Sequence, residues 1–318
     1  MVTPRPLRIV YLGTPAFAVP TLRALIQSPH AVVGLISQPD RPRGRGHQVV
    51  APPTKVLALQ HGIPVVQPAR LRDQGFIDAI AALRADLGVV AAYGRILPEA
   101  LLQIPRLGMI NVHASLLPKY RGAAPIHRAV MDGETETGVT IMRLVQELDA
   151  GPMLATARRS IAPDATSVDV ERDLAEVGAR LLVETVDRLA AGPVTETPQD
   201  DAAATFAPKI AKTESPIDWS LPATRIHNRV RGLQPWPMAS TIIEGTRCLV
   251  HRTTVARHRG DSAPGAVLSA DGDAIVVAAG ERTAVHILQL QPEGKRVMTA
   301  REFLSGRRIA PGTVLRSS

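Results

Sequence analysis

The chain has 318 residues, of which 45% are hydrophobic and 3% aromatic, so it can bury a core built mainly from aliphatic side chains. Its single cysteine, Cys248, excludes an intramolecular disulfide and a zinc site built from cysteines. The sequence shows neither a signal-peptide pattern nor the roughly 18 consecutive apolar residues of a membrane span, so we expect a soluble cytoplasmic protein with no membrane association.

Charge is unevenly distributed along the chain. Residues 1–200 contain 21 Lys and Arg against 19 Asp and Glu, a net charge of +2. Residues 201–318 contain 16 against 10, a net charge of +6. This asymmetry favours a nearly neutral enzyme domain followed by a basic module that contacts a polyanion, although a basic surface that only faces solvent would give the same counts.

Strand-like and helix-like segments alternate through the first part of the chain. Short apolar runs predict strands, and the amphipathic segments between them predict helices. The pattern predicts a doubly wound, mostly parallel α/β sheet of the Rossmann-like type. The predicted strands are residues 7–13, 31–37, 63–67, 86–94, 109–115, 138–145 and 153–161, and the predicted helices are 17–27, 54–61, 76–84, 96–104, 124–133 and 167–191.

The rest of the chain has a different pattern. Residues 192–209 are rich in Pro, Thr, Ala and acidic residues without an apolar period, which predicts a linker. Five short strand-like runs follow, together with helices near residues 223–232 and 299–306, and this spacing predicts a small OB-like β-barrel. We therefore expect a catalytic domain over residues 1–191, a linker over 192–209 and an OB-like domain over 210–318.

Two polar side chains end the apolar run of residues 109–115. Alternation along a strand places Asn111 and His113 on one face, and ligands bind beyond the carboxyl ends of parallel strands. An amide and a protonated imidazole both donate hydrogen bonds, so together they suit an oxygen atom that gains negative charge. Ser115 lacks the Gly-x-Ser-x-Gly pattern of an exposed nucleophile. We therefore predict a site that stabilises a tetrahedral intermediate whose nucleophile arrives with the substrate.

Asp149 follows a predicted strand, in a turn with Gly151 and Pro152. A carboxylate near His113 could hold the imidazole and accept the proton of an attacking amine. Each residue also has an ordinary structural interpretation, because Asn commonly ends strands, His often satisfies a backbone group, and Asp before Ala-Gly usually forms a turn. Their combination favours Asn111, His113 and Asp149 as a catalytic set.

The segment INVHASLLPKYRGAAPIHRA resembles the signature of the formyltransferases that use 10-formyltetrahydrofolate. Five more segments resemble, in order and spacing, the members that formylate methionyl initiator tRNA: GTPAFAVPTL, QPDRPRGRG, AAYGRILP, LDAGPML and GLQPWP. The resemblance covers nearly the whole chain. It implies transfer of a formyl group from 10-formyltetrahydrofolate to the α-amino group of the tRNA-bound methionine. We expect no metal cofactor and a monomer.

The resemblance also implies site residues. The essential Asn, His and Asp of the family fall on the three residues named above, although the usual Gly-Leu-Asp-Thr-Gly-Asp around the Asp is Glu-Leu-Asp-Ala-Gly-Pro here. The pterin ring of the folate needs a flat apolar slot, and the strand end at residues 93–97 offers one because Gly94 lets the backbone approach closely. The expected folate-binding residues are Ser115, Leu116, Leu117, Pro118, Tyr93, Gly94, Ile96 and Leu97.

Two regions are candidates for RNA contact. Residues 38–53 contain three Arg, two Gly and four Pro, which predicts a long loop without regular structure, here named the basic finger. Its Arg41, Arg43 and Arg45 can contact phosphate, and the resemblance implies that the loop meets the acceptor end of the tRNA. In the OB-like domain, Arg225 and Arg229 share one helix face. Further basic residues there are Arg231, Arg247, Arg252, Arg257 and Arg259.

Three other functions remain open from the sequence. A formyltransferase that acts on a UDP-amino sugar would share the Asn-His-Asp site and a downstream barrel, but would not need the basic finger. A 10-formyltetrahydrofolate hydrolase could use the same groups with water as the nucleophile. A non-catalytic RNA-binding protein would have no reason to keep all three polar residues.

Overall fold

The structure, a computed structural model, describes residues 5–43, 48–258 and 260–317, apart from the side chains of Arg43 and Gln48. The chain forms two compact units. The first comprises Met1–Pro125, Glu136–Ser160 and Glu171–Ala207, and the second comprises Ile126–Thr135, Ile161–Val170 and Pro208–Ser318. Among the described residues, no helix combines the length and the hydropathy needed to cross a lipid bilayer.

Along residues 5–207, strands and helices alternate largely as the apolar periodicity predicts. The strands are β1 (Arg8–Gly13), β2 (Ala31–Ile36), β3 (Arg41–Arg43), β4 (Gln48–Val50), β5 (Val65–Val66), β6 (Leu87–Ala91), β7 (Met109–His113), β8 (Glu136–Arg143) and β9 (Met153–Ser160). The helices are α1 (Ala18–Gln27), α2 (Pro53–Gln60), α3 (Gln74–Ala82), α4 (Glu99–Leu102), α5 (Pro125–Asp132) and α6 (Ser167–Ala191).

The first unit is built on a seven-stranded sheet in the order β5-β2-β1-β6-β7-β8-β9. The first five strands of this order, β5, β2, β1, β6 and β7, pair in parallel. Strands β8 and β9 complete the sheet in antiparallel pairing. Every residue of β6 is buried, as is every residue of β1 after Arg8, which explains their continuous apolar sequences. The predicted α/β class with a mostly parallel sheet is confirmed.

The strand order places a topological switch beside β1. The chain leaves β1 for β2 on one side and later returns as β6 on the other side. The carboxyl ends of the parallel strands β1, β6 and β7 therefore meet at one edge of the sheet, where open α/β sheets bind their ligands. Two of these ends carry predicted site residues: Asn111, His113 and residues 115–118 lie at the end of β7, and residues 93–97 follow β6.

The basic finger contains regular structure that the composition did not predict. Strands β3 and β4 form a two-stranded antiparallel hairpin in which Arg41 pairs with Val50 and Pro42 with Val49. The expectation of no regular element was therefore wrong. A proline is tolerated here because each strand of an isolated ribbon has one edge that needs no backbone donor.

The segment predicted as a linker packs along the first unit. Thr197 exchanges two backbone hydrogen bonds with Met153 of β9, at 2.8 and 2.9 Å. Further on, Phe206 pairs with Arg121 as an isolated bridge. The segment lacks a hydrophobic period because backbone groups, rather than an apolar face, hold it in place.

The second unit contains a helix followed by a largely antiparallel sheet. Its elements are α7 (Ala223–Gly232), β10 (Ala239–Ile243), β11 (Thr246–Arg257), β12 (Val267–Asp271), β13 (Ala274–Ala279), β14 (Thr283–Pro292), β15 (Met298–Thr299), α8 (Ala300–Leu304) and β16 (Arg316–Ser317). The strands form the order β12-β13-β14-β11-β10-β16, and β15 pairs with β14. This curled sheet confirms the predicted small barrel-like domain.

Residues 312–317 join the two ends of that sheet. Thr313 O accepts a hydrogen bond from Val267 N of β12, and Leu315 N donates to Gly265 O, both over 2.8 Å. Arg316 and Ser317 then pair with Ile242 and Thr241 of β10. One segment thus bridges the opposite edges.

Two short segments from the middle of the chain complete the second unit. The guanidinium of Arg128 donates two hydrogen bonds to the Glu214 carboxylate, at 2.6 and 2.9 Å. The Oγ of Ser167 donates to the backbone oxygen of Gly232 over 2.8 Å. These contacts explain why the second unit includes residues that the apolar pattern assigns to the catalytic domain.

Candidate active site

Asn111 and His113 lie at the carboxyl end of β7 and point to the same face of the sheet, as alternation predicts. Asn111 is partly exposed, whereas His113 is 5% exposed. Within the described part of the chain, the Asn111 amide makes no side-chain hydrogen bond. Its N–H groups are therefore available to a substrate oxygen.

The imidazole of His113 faces oxygen atoms through both ring nitrogens. Nε2 lies 3.0 Å from the backbone oxygen of Tyr120, and Nδ1 lies 3.6 Å from Oδ2 of Asp149. A carbonyl oxygen only accepts, so Nε2 carries a proton. In this arrangement neither nitrogen is free to donate to a substrate oxygen. His113 is placed beside Asp149 rather than as a second free donor beside Asn111.

The Asp149 carboxylate is largely buried, with 12% of its side chain exposed. Its Oδ2 accepts a hydrogen bond of 2.9 Å from the backbone N–H of Gly122. Its backbone has a φ of 50°, a left-handed conformation that is uncommon for a residue other than glycine. The turn that carries this conformation brings Asp149 to His113 from the end of β8.

The Gln199 side chain supports that turn. Its Nε2 donates to the backbone oxygens of Asp149 and Gly151, at 2.8 and 2.7 Å. A Cβ at residue 151 would lie 1.9 Å from the backbone oxygen of Arg143, so only glycine fits there. The turn thus packs closely against Arg143 at the end of β8, and the side-chain amide of Gln199 donates two hydrogen bonds to it.

The segment at residues 115–118 places two side chains inward and two outward. Ser115 is fully buried, and its Oγ donates to Lys119 O over 2.6 Å. Leu117 is also buried, whereas Leu116 and Pro118 are partly exposed. In the predicted folate-binding segment, Leu116 and Pro118 therefore keep part of their surface exposed, whereas the Ser115 and Leu117 side chains are buried in the turn.

Thr140 of β8 fixes the same turn. Its Oγ1 donates to Ser115 O over 2.8 Å and accepts from Leu117 N over 3.2 Å. The register that pairs His113 with Thr140 brings this hydroxyl to the end of β7. A pattern search for reactive residues overlooks Thr140, since a threonine within a strand carries no motif.

The residues that follow β6 differ in how far they are exposed to solvent. Tyr93 is 2% exposed, belongs to the hydrophobic core, and burial raises the pKa of its phenol. Its ring cannot line an open slot, which corrects the expectation that its side chain faces the folate. Gly94, with a φ of 79°, is exposed, Ile96 is 83% exposed, and Leu97 is partly buried.

The arginines of the basic finger are only partly described. Arg41 is exposed, and its Nη2 donates to Oε1 of Gln38 over 2.8 Å. Arg43 ends β3, and its side chain, like the whole of Arg45, lies outside the described residues. Val49 on the facing strand is 68% exposed. Because Arg41 pairs with Val50 and Val49 pairs with Pro42, the hairpin exposes Arg41 and Val49 on opposite faces.

The arginines of the second unit fall into two groups. Arg225 is exposed, and its side chain makes no hydrogen bond within the described part of the chain. Arg229 donates to the backbone oxygen of Glu214 over 2.8 Å. Arg231 is 6% exposed and donates to Ala165 O, so it does not belong to a basic surface. Of the other arginines that the sequence predicts for the basic surface, Arg252 and Arg257 are exposed, Arg247 donates to Ser215 Oγ, and Arg259 lies outside the described residues.

The described residues contain no cluster of three or more His, Cys, Asp or Glu side chains that could hold a metal ion. The end of β7 and the turn after β8 carry one amide, one imidazole and one carboxylate, those of Asn111, His113 and Asp149. These groups provide a donor for an oxygen atom and an acceptor for a proton, as acyl transfer to an amine requires.

Family comparisons cover both units. The profile of the formyl transferase family matches residues 7–186, and the profile described as the C-terminal domain of formyl transferases matches residues 209–308. Together the two profiles cover most of the chain. Residues 187–208, which include Gln199, lie between the two matches.

Curated relatives match over nearly their full length. The chain is 48% identical over 309 residues to the methionyl-tRNA formyltransferase of Citrifermentans bemidjiense, covering 97% of this chain and 96% of the relative. It is 45% identical over 316 residues to the enzyme of the same name from Pseudoalteromonas translucida, covering 98% of each.

Solved structures share the fold at lower identity. HypX from Aquifex aeolicus, solved in complex with tetrahydrofolic acid, matches with a TM-score of 0.65 and 18% identity, over 97% of this chain and 51% of HypX. WlaRD, described as a sugar 3N-formyl transferase and solved with dTDP and 5-N-formyl-THF, matches with a TM-score of 0.67 and 15% identity, over 92% of this chain and 100% of WlaRD.

Proposed function

The chain belongs to the formyl transferase family, and we propose on this premise that it transfers a formyl group to the free α-amino group of methionyl initiator tRNA. The product is N-formylmethionyl-tRNA, which serves translation initiation. The observation that carries this proposal is the 45–48% identity to methionyl-tRNA formyltransferases over at least 97% of the chain. The second unit supports it, since a basic module suits an RNA substrate.

The formyl donor in this proposal is 10-formyltetrahydrofolate. The strand end after β6 fits a flat ring, because Ile96 is 83% exposed and Gly94 has no side chain. A Cβ at residue 94 would lie 2.9 Å from Nε2 of Gln38 and would crowd this edge. Leu116 and Pro118 add partly exposed apolar surface from the end of β7. These residues, with the Tyr93 main chain, would hold the folate, which supplies the formyl group.

The three polar residues divide the chemistry. The Asn111 amide donates to the formyl oxygen, which gains negative charge when the amine attacks the carbonyl carbon. Asp149 accepts the proton that the amine loses, directly or through a water molecule, and the proton passes to N10 of the folate when the bond between N10 and the formyl carbon breaks, so that tetrahydrofolate leaves. His113 lies beside the Asp149 carboxylate, with Nδ1 3.6 Å from Oδ2. A proton on its Nδ1 would add a positive charge near the developing oxyanion.

The two basic regions would bind different parts of the tRNA. The basic finger lies after β2, at the ligand edge of the first-unit sheet, and we assign it to the acceptor end. Arg225, Arg252 and Arg257 are exposed in the second unit, where they can contact backbone phosphates. We expect the second unit to supply salt-sensitive affinity and the basic finger to supply selectivity.

The test is an acceptor comparison with the purified protein. 10-Formyltetrahydrofolate is offered with charged initiator tRNA, with a UDP-amino sugar, or with water alone, and 5-formyltetrahydrofolate replaces it as the control donor. We expect formyl transfer only to the charged tRNA and only from the 10-formyl form. Transfer to the sugar, or hydrolysis as fast as transfer, would overturn the proposal in favour of the corresponding alternative.

We also propose that the protein acts as a monomer in the cytoplasm, where initiator tRNA is charged and used. The chain mass is 34.0 kDa. Light scattering coupled to gel filtration should give this mass across the working concentration range. A stable mass of twice that value would contradict the proposal.

A further inference from the structure

We propose that Gln199 is a positioning residue that holds the Asp149 carboxylate in its reactive geometry. This inference rests on the proposed function, in which Asp149 accepts the proton of the amine. Gln199 lies in the segment between the two family-matched regions, where the sequence predicts only a linker. Its side chain is partly buried against the Asp149 turn.

The Asp149 turn needs external support. Asp149 has a φ of 50°, and a residue with a side chain adopts this left-handed region only where surrounding contacts maintain it. Gln199 Nε2 donates both of its N–H groups to this turn, to the oxygens of Asp149 and Gly151 at 2.8 and 2.7 Å. One amide therefore fixes the main chain on both sides of residue 150.

Arg121 fixes the orientation of that amide. Its Nε donates to Oε1 of Gln199 over 3.0 Å, so the NH2 group of Gln199 must face the turn. Arg121 is 6% exposed, and its Nη2 also contacts Asp201 at 2.6 Å. A buried guanidinium thus sets which end of the Gln199 side chain reaches Asp149.

The contacts close a ring around the carboxylate. Arg121 holds the main chain of Asp149 through Gln199, and the next residue, Gly122, donates its backbone N–H to Oδ2 of Asp149. The neighbouring residues Arg121 and Gly122 therefore hold both the main chain and the carboxylate of Asp149. Loss of Gln199 leaves the carboxylate bond to Gly122 but releases the turn that aims it.

The expected consequence is a slower reaction with little change in substrate binding. A misplacement of about 1 Å can reduce a rate on the order of 10²-fold. We therefore expect kcat to fall ~10–100-fold in Gln199→Glu and Gln199→Met. The Glu side chain keeps the size and the acceptor for Arg121 but loses both donors, and the Met side chain keeps only the length. KM for charged initiator tRNA should stay within about threefold.

The matched control is Asp201→Asn. Asp201 contacts the same arginine, but its side chain is 82% exposed, and the hydrogen bonds to the Asp149 turn among the described residues come from Gln199 and Gly122. This variant should keep nearly normal kcat and KM. Thermal unfolding of all three variants separates a positioning role from a folding role. Failure of both Gln199 variants to unfold cooperatively would assign Gln199 to folding and overturn the inference.

A double-variant comparison tests whether Gln199 acts through Asp149. In an Asp149→Asn background, adding Gln199→Met should cost less than about threefold in kcat, because the group it positions is already gone. An equal loss in both backgrounds, or near-normal kcat in the single Gln199 variants, would overturn the inference. A wild-type protein that does not formylate charged initiator tRNA would instead contradict the proposed function.

Discussion

Gly122 donates its backbone N–H to Oδ2 of Asp149 over 2.9 Å, and the same oxygen lies 3.6 Å from Nδ1 of His113. The backbone N–H and the imidazole thus lie on the same carboxylate oxygen, and of the two only the N–H of Gly122 is within hydrogen-bond distance. Within the described residues, Oδ1 of Asp149 accepts no such hydrogen bond. The carboxylate is thus held through Oδ2, and Oδ1 is left for the proton that the incoming amine loses in the proposed mechanism.

Asn111 should be the main donor to the formyl oxygen. Changing Asn111 to Ala should lower kcat on the order of 10²–10³-fold, as loss of an oxyanion donor does in other enzymes, with a smaller effect on KM for either substrate. Asn111→Asp is the matched variant, because it keeps the size and removes the donors. Steady-state formylation of charged initiator tRNA measures both. Near-normal turnover in either variant would remove Asn111 from this role.

Gly122 should not tolerate a side chain. Its φ is 120°, and a Cβ would lie 2.9 Å from the backbone oxygen of Ala207. Gly122→Ala should therefore displace the N–H that holds Asp149 and should lower both kcat and the melting temperature. Gly192 provides the control, because its φ is also positive, at 153°, but a Cβ there meets nothing within 4 Å. Equal effects of the two substitutions would show that the contact with residue 207 does not matter.

The basic finger should contribute charge-dependent binding of tRNA. Replacing Arg41, Arg43 and Arg45 together with alanine should raise KM for charged tRNA and reduce the salt dependence of binding by about 0.7–0.9 per lost phosphate contact. KM for the folate should not change. Arg180→Ala is the control, since this arginine is exposed on α6. An unchanged salt slope in the triple variant would contradict the assignment.

Two arginines on the same helix should behave differently. Arg225 is exposed, whereas Arg229 donates to the backbone oxygen of Glu214. Arg225→Ala should weaken tRNA binding without changing the melting temperature. Arg229→Ala should lower the melting temperature, because a partly buried carbonyl loses its charged donor. Filter binding and thermal unfolding of each variant measure this difference, and identical profiles would be the contrary result.

The stability of the second unit should depend on pH through Glu214. Its hydrogen bonds with Arg128 lower the pKa of Glu214 from the usual 4.5, against the opposing effect of burial. A lowered pKa stabilises the fold above the usual value, and this contribution is lost as the pH falls through the lowered pKa.

Glu214→Gln should therefore cost about 1–3 kcal/mol at pH 7 and much less in strong acid, where the wild-type carboxylate is also protonated. Thermal unfolding from pH 7 to pH 3 measures this convergence. Glu293→Gln is the control, because Glu293 is exposed and makes no ion pair with any described residue. A constant difference across the pH range would show that charge is not the cause.

Local patterns predicted much of the fold and part of the site. Alternation places Asn111 and His113 on one face because the period of a strand depends only on neighbouring residues. The burial of Tyr93, two residues after β6, was not predictable, since every residue of β6 is buried and a continuous apolar run does not show which of the residues that follow it turn inward. The apolar sequence of a strand buried on both sides predicts where the strand lies in the chain. It does not predict which side chains face outward at the end of the strand.

The partners of Asp149 depend on tertiary structure. Gly122 lies 27 residues away and contributes only a backbone N–H, which no residue pattern marks. Gln199 lies 50 residues away, in a segment without an apolar period. Likewise, the spacing of Arg225 and Arg229 predicts that they share a helix face, but the acceptor for Arg229 is the backbone oxygen of Glu214, outside that helix. Contacts of this kind join residues that are distant in the sequence, so the local sequence pattern around each residue does not predict them.

The bridge that residues 312–317 form between β12 and β10 has a consequence for solubility. Unpaired strand edges are templates on which further chains can add. Since this one short segment covers an edge on each side, its loss would leave two ladders of backbone donors and acceptors open at once. A protein shortened before residue 312 should therefore be prone to self-association, even though every residue proposed for the chemistry would still be present.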